Sequence, residues 1–162
     1  MNIKYVIIFI CLVFVLAMSF LLFNQYHQST TKERKQVDQK QEEGGHMKLN
    51  MLVNDQTYTV VLEDNRAARE LVRMLPLTIE MNELNGNEKY YYFDTSFSKD
   101  EEKVTTIQNG DVMLYGDDCL VLFYDSFSTP YRYTRIGHVE NAENLANILG
   151  NHSVIITLEQ EK

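Results

Sequence analysis

The segment that most constrains the fold is residues 110–137, which holds three strand-like runs separated by two connections. Residues 112–115 and 131–136 flank a central run, residues 119–124, made of Cys, Leu, Val, Leu, Phe and Tyr. Short continuous apolar runs between turn residues are typical of strands buried on both faces. We therefore predict three consecutive strands, with the middle one at the centre of a sheet or in the wall of a barrel.

Other parts of the chain predict more short strands. Alternating or apolar runs indicate strands over residues 49–53, 57–63, 77–83, 89–93, 104–107 and 153–159. Asn85-Gly86 supplies the positive φ angles of a tight hairpin turn, whereas the charged residues 94–103 read as an exposed loop. Antiparallel chains with many short strands avoid exposed edges by closing the sheet. We expect a mainly β fold: a closed barrel of about eight strands.

Two short helices are expected to cover this barrel. The first begins at Asp64-Asn65, whose side chains suit a helix cap, and ends at Pro76. The second is predicted to be capped by Asn141 and to stop at Gly150. Their apolar residues fall at helical spacing on one side of each helix: Ala68, Leu71, Val72 and Leu75, then Ala142, Leu145, Ile148 and Leu149.

The N-terminus carries a different signal. Residues 6–23 are almost entirely apolar and approach the length that spans a bilayer. We predict that residues 1–23 form a transmembrane helix or signal anchor that contacts the membrane through residues 5–23. The alternative is a cleaved signal peptide, because Ala17-Met18-Ser19 is a small-x-small site. The apolar run continues past that site, which favours the anchor.

A polar linker is predicted over residues 24–46, since this stretch has too few apolar residues to bury. The folded domain is then residues 47–162. Basic residues after the apolar segment outnumber those before it, which by charge counting favours the cytoplasm for the domain. Short N-terminal anchors commonly leave the N-terminus inside, so we expect a single-pass protein whose domain is extracytoplasmic, at the cell surface or secreted side.

Several functional classes are disfavoured by composition. The net charge of −8 disfavours nucleic acid as a partner, because such binding needs clustered Lys and Arg. The four histidines are scattered without metal-ligand spacing, so neither a metal site nor a cofactor is expected. Cys11 and Cys119 lie in apolar runs and read as small buried hydrophobes.

The order of short motifs resembles the small bacterial and archaeal cyclophilin-like domains. The matching residues are Asn85-Gly86, 88–92, Gly110-Asp111, 114–116, Phe123-Tyr124, 126–129, Tyr131, Tyr133 and Ile136-Gly137. The resemblance covers about residues 48–158 and is most specific over residues 84–137. It implies a closed β-barrel with two helices and no settled activity.

A cyclophilin fold also implies, by resemblance, rotation about X-Pro bonds. That reaction needs an apolar cleft and a donor near the imide nitrogen, commonly Arg, because its barrier comes from amide resonance. The Phe-His-Arg stretch and the Gln-containing run of true cyclophilins have no counterpart here, so no catalytic residue can be assigned.

Residues 125–133 are the preferred binding site, because hydroxyls, rings and a guanidinium there follow a rigid buried strand. The candidate ligand-binding residues are Tyr91, Phe93, Met113, Phe123, Phe127, Ser128, Thr129, Tyr131, Arg132, Tyr133 and Arg135. We expect them to bind a peptide or a small ligand, such as an organic anion, at the barrel mouth. The alternatives are a weak peptidyl-prolyl isomerase near the membrane surface, with Arg132 or Arg135 as donor, and a purely structural module.

Overall fold

The structure, a computed structural model, describes residues 46–161. The predicted transmembrane helix and all but the last residue of the predicted linker lie outside this range. Among residues 46–161, no helix is long and apolar enough to cross a membrane.

Eleven strands and two short helices follow one another along the described chain. The strands are β1 (Lys48–Val53), β2 (Gln56–Leu62), β3 (Leu77–Leu84), β4 (Glu88–Tyr92), β5 (Glu102–Lys103), β6 (Thr106–Ile107), β7 (Asp111–Tyr115), β8 (Cys119–Phe123), β9 (Phe127–Ser128), β10 (Arg132–Val139) and β11 (Val154–Gln160). The helices are α1 (Arg66–Val72) and α2 (Leu145–Leu149), and a 3-10 turn, Ala142–Asn144, precedes α2.

Eight of these strands form a closed antiparallel barrel, as predicted. Their order is β2-β1-β11-β3-β4-β8-β7-β10, and β10 pairs again with β2. The short strand β5 pairs with the first two residues of β10, Arg132 and Tyr133, while β6 and β9 form a separate two-stranded ribbon. Closure leaves most of the barrel backbone paired on both sides.

Gly137 makes the closing contact possible. It lies opposite Leu62 of β2 and Val112 of β7, just after a bulge in the pairing of β10 with β7. A Cβ at this position would lie 2.3 Å from the carbonyl oxygen of Val61, far inside any normal contact. The seam therefore requires a residue without a side chain.

The wall around β8 separates two apolar cores. Leu120 and Leu122 point into the barrel, where aliphatic side chains leave a cavity of only about 20 Å³. Cys119, Val121 and Phe123, the alternate residues of β8, belong to a second buried cluster on the outer face of the wall, which we call the outer cluster. All five residues of β8 are buried, which confirms the prediction of a strand covered on both faces.

The first helix and the β3–β4 turn form as predicted. The Asn65 side chain accepts a hydrogen bond from the Ala68 amide at 2.9 Å and so caps α1. Its amide group donates to the carbonyl oxygen of Arg135 at 2.6 Å, which ties the helix to β10. Asn85 and Gly86 have φ angles of 58° and 73°, as a tight hairpin turn requires.

Two local predictions are wrong. Asn141 does not cap the second helix: its φ of 55° is left-handed, whereas a capping residue is extended, and its side chain makes no cap hydrogen bond. Residues 94–103 are not wholly an exposed loop either. Phe97 is buried against the Phe93 ring at 5.0 Å between centroids, and its amide donates to the carbonyl oxygen of Asp117.

Candidate functional site

A cleft of about 440 Å³ lies on the outer face of the barrel wall. Its base includes the buried Cys119, Val121 and Tyr133, which belong to the outer cluster. We call it the tyrosine cleft and define it by its lining: Leu84, Asn85, Asn87, Glu88, Tyr90, Tyr92, Tyr115, Cys119, Val121, Phe127, Ser128, Thr129, Pro130, Tyr131 and Tyr133. These residues come from the end of β3, from β4, β7, β8, β9 and β10, from the turn before β4 and from the loop after β9.

The alternation of β4 decides which of its side chains reach the cleft. Glu88, Tyr90 and Tyr92 lie on its outer face, opposite the outward residues of β8. Lys89 and Tyr91 lie on the other face, toward the barrel interior. A single strand thus contributes a carboxylate and two rings to the cleft.

Tyrosine rings dominate the lining. Tyr115 contacts Tyr131 and Tyr133, with ring centroids 5.8 and 5.7 Å apart, and Tyr90 contacts Tyr92 at 5.7 Å. The interplanar angles of these pairs are 77°, 54° and 75°, so the rings meet at angles and are not stacked. They form the angled walls of an aromatic site.

The exposed apolar surface of the domain is concentrated at this cleft. Residues 46–161 contain five exposed large hydrophobic side chains, and four of them line it. These are Leu84 (42% exposed), Tyr92 (58%), Tyr115 (46%) and Tyr131 (56%). Clustered exposed apolar side chains mark interaction sites more often than scattered ones do.

Glu88 carries the only formal charge in the lining. Its carboxylate is half-buried and has no hydrogen bond or ion pair with any residue in the described range. Burial raises the pKa of the Glu88 carboxyl, and the negative charge of Glu83 raises it further. The lining of the tyrosine cleft therefore contains one acidic side chain, and its carboxylate has no partner among the described residues.

Nucleophilic chemistry is not favoured by the other polar groups. Burial raises the pKa of the Cys119 thiol to about 11, so the thiol stays protonated at neutral pH. It is hydrogen-bonded to the side chain of Tyr92. Burial also raises the pKa of Tyr133, although a hydrogen bond with Thr129 opposes that change. No Lys, Arg or His belongs to the lining, so a hydroxyl there has no basic nitrogen to activate it.

Five of the eleven predicted ligand-binding residues line the tyrosine cleft: Phe127, Ser128, Thr129, Tyr131 and Tyr133. Met113 and Phe123 are buried in the outer cluster, where Phe123 packs against the rings of Phe127 and Tyr133 at 5.7 and 5.6 Å. They support lining residues and do not form the surface themselves.

The remaining four predicted residues lie elsewhere. Tyr91 and Phe93 pack in the interior cluster, with ring centroids 5.0 Å apart. Arg132 donates to the carbonyl oxygen of Glu101, and Arg135 forms an ion pair with Glu102. Neither arginine belongs to the lining, so the structure does not bring a guanidinium together with the cleft rings.

The missed residues lie at the end of β3, in the turn after it, in β4, at the end of β7 and in β8. Tyr90 and Tyr92 share one face of the strand predicted over residues 89–93, so strand alternation was the available signal for them. Glu88 lies on the same face because β4 begins one residue earlier than predicted. Tyr115 and Cys119 flank the turn between β7 and β8 and come onto the same outer face by the same rule.

A buried lysine holds the turn that contributes Leu84, Asn85 and Asn87 to the cleft. The side chain of Lys89 is fully buried and pairs with the carboxylate of Glu83. It also donates to two backbone carbonyl oxygens of the loop after α2, those of Gly150 and His152, each at 2.8 Å. Every donor of this ammonium group thus has an acceptor.

Glu83 connects the same lysine to the turn itself. Its carboxylate accepts a hydrogen bond from the Tyr124 hydroxyl, 2.7 Å from both oxygens, and another from the Gly86 amide at 2.8 Å. The Lys89 ammonium also lies 5.3 Å from the centre of the Tyr124 ring. One buried polar network therefore fixes the turn that borders the cleft.

Comparison with known proteins gives a family and a fold. A family model described as the cyclophilin-like family matches residues 51–159. A hypothetical protein from Archaeoglobus fulgidus, whose structure was determined in solution, superposes with a TM-score of 0.58 at 19% sequence identity. The match covers 74% of this chain and 98% of that one. No curated protein is significantly similar to this chain.

Proposed function

This chain belongs to the cyclophilin-like family, and we propose that its domain is a binding module that takes a peptide or a small ligand in the tyrosine cleft. The observation that carries this proposal is the concentration of exposed apolar side chains there. The cleft volume of about 440 Å³ falls in the range of small-ligand sites. The filled barrel interior offers no comparable space.

Isomerase activity is the less favoured proposal. A prolyl isomerase of the kind that the resemblance implies would place a donor, commonly Arg, beside the imide nitrogen. The lining of the tyrosine cleft contains no Arg, and both arginines of β10 bind oxygens of Glu101 and Glu102. A proline-peptide isomerisation assay tests this point: acceleration by the full chain that disappears in Tyr131→Ala would establish catalysis in the cleft.

We also propose that residues 5–23 hold the domain at a membrane and that the domain faces the extracytoplasmic side. The support is the apolar sequence of that segment. Added protease digests a domain on the outer side of intact cells and spares one on the cytoplasmic side. Protection of the domain would contradict the proposed orientation.

The binding proposal is tested by isotope-labelling the tyrosine rings of the full chain in a maltoside detergent. Five of the ten tyrosines line the cleft. A screen of proline-containing peptides and small anionic, neutral and cationic compounds should shift resonances of these five rings in a saturable way. Tyr58 and Tyr124, which lie outside the lining, should not move. Binding that shifts no cleft tyrosine, or no binding at all, would refute the proposal.

A further inference from the structure

We propose that the tyrosine cleft binds a small organic cation, with its ammonium group beside Glu88 and among the tyrosine rings. This inference rests on the proposed binding function and specifies its ligand class. The sequence alone suggested a peptide or a small organic anion, because hydroxyls and one guanidinium were expected around the rings of the site. The structure places neither Arg132 nor Arg135 in the lining, which removes the reason for an anion.

Charge is the first support. Glu88 is the single charged residue of the lining, and no cation in the described part of the chain pairs with it. Its sequence neighbour Lys89 points to the other side of the wall. The three N–H groups of that lysine already bind the Glu83 carboxylate and the carbonyl oxygens of Gly150 and His152. A half-buried carboxylate without a partner is costly to maintain, and a bound cation would supply the missing countercharge.

The aromatic walls are the second support. Cations bind favourably against the faces of tyrosine rings, and ammonium groups are commonly recognised by several such rings together. Five tyrosines line this cleft, and Tyr92, Tyr115 and Tyr131 are about half exposed. Rings that meet at large angles present faces in different directions around a common space.

A third support is an unused acceptor. The side-chain oxygen of Asn87, a lining residue, is buried and has no hydrogen-bond partner among the described residues. Buried polar atoms are normally hydrogen-bonded. Because the oxygen itself is buried, a rotation of the Asn87 side chain toward the cleft would be needed to bring it to an ammonium N–H.

The volume favours a small molecule as the occupant. A space of about 440 Å³ lies within the range of small-molecule sites and accommodates a compact organic amine. We therefore commit to a free small amine, and treat a lysine side chain carried on a peptide as an outcome of the test.

Three probes of one shape but different charge provide the test: cyclohexylmethylamine, cyclohexylmethanol and cyclohexanecarboxylate. Binding to the full chain is followed by the labelled tyrosine rings in a maltoside detergent, since phosphocholine detergents carry a competing ammonium group. The amine should bind about tenfold more tightly than the alcohol, and the carboxylate should not saturate the cleft resonances.

Variants then identify the groups responsible. Glu88→Gln should weaken binding of the amine about tenfold and leave the alcohol unchanged. Glu159→Gln is the matched control, because it removes an equal charge from a half-buried strand position outside the cleft. Tyr131→Leu, at an exposed position, keeps apolar bulk and removes the ring. It should weaken the amine selectively even if Glu88→Gln fails to fold.

The outcomes separate this inference from the binding function. Equal affinity for amine and alcohol, or an amine affinity unaffected by both variants, would refute the proposal that the ligand is a cation. Neither result would contradict the proposed binding function. The same holds if only anionic or neutral compounds of the wider screen bind. A lysine-containing peptide that binds while the free amine does not would overturn the small-molecule assignment. If no compound or peptide shifts the cleft tyrosines, the binding function itself fails.

Discussion

Replacing Lys89 by Met should be the most damaging single charge removal in the domain. Methionine keeps an unbranched stem of similar length in the barrel wall and removes only the ammonium group. Three acceptors lose their donor at once: the carboxylate of Glu83 and the carbonyl oxygens of Gly150 and His152. All of them meet Lys89 where its side chain is fully buried.

The expected loss of unfolding free energy depends on which hydrogen bonds each acceptor keeps once the ammonium group is removed. Removing one partner of a buried ion pair typically destabilises a protein by about 3–5 kcal/mol. Glu83 is 19% exposed and keeps hydrogen bonds from Tyr124 and Gly86, so part of its penalty is relieved. We therefore expect the lower end of that range, about 3 kcal/mol of unfolding free energy.

Urea unfolding of the full chain, followed by circular dichroism, measures this loss. With a denaturant dependence of about 1–3 kcal/mol per molar, the midpoint should fall by about 1–3 M. Lys48→Met is the matched control: its ion pair with Glu140 is about a third exposed on both sides, and such pairs contribute less than about 1 kcal/mol. If Lys89→Met were no more destabilising than Lys48→Met, the buried network would not hold the turn as described.

Three further outcomes are expected. Gly137→Ala should lower the unfolding free energy by more than about 2 kcal/mol in urea titrations, because its Cβ would meet the Val61 carbonyl; a neutral effect would mean that the seam can shift. Glu88→Gln should stabilise the free domain at neutral pH. The folded-state pKa of Glu88 is raised, so stability is lost as pH rises through it, and melting curves of the two proteins should converge in acid. The Cys119 thiol, whose pKa is raised to about 11, should resist alkylation in the folded chain at mildly alkaline pH and react after unfolding.

The fold was predictable because its strongest signals are local. Continuous burial of β8, the turn at Asn85-Gly86 and the cap at Asn65 each follow from a few adjacent residues. The second helix shows the limit of such reasoning. Asn141 has the residue type of a cap, but left-handed backbone is equally open to asparagine, and tertiary packing decides between the two.

The site was only partly predictable because it depends on which face of a strand looks outward. β4 contains three consecutive tyrosines, so hydrophobic alternation does not distinguish its two faces. Burial of the Lys89 side chain on the inner face places Tyr90 and Tyr92 on the outer face. That burial depends on hydrogen bonds to carbonyl groups more than 60 residues away in the chain. Likewise, the acceptors of Arg132 and Arg135 lie in a segment that reads as a solvent-exposed loop.

The seam at Gly137 also bears on how the protein folds. It joins Leu62 to a residue about 75 positions later, whereas hairpins such as β7–β8 join near neighbours. Because closing long loops is entropically unfavourable, we expect the hairpins to form early and the long-range pairings, β2–β10 and the more distant β1–β11 among them, to form later. Pulsed hydrogen exchange should then find the amides of β10 that face β2 protected after those of β7–β8. Until that pairing forms, two open strand edges are available to neighbouring chains, so slow closure would expose the newly made protein to aggregation.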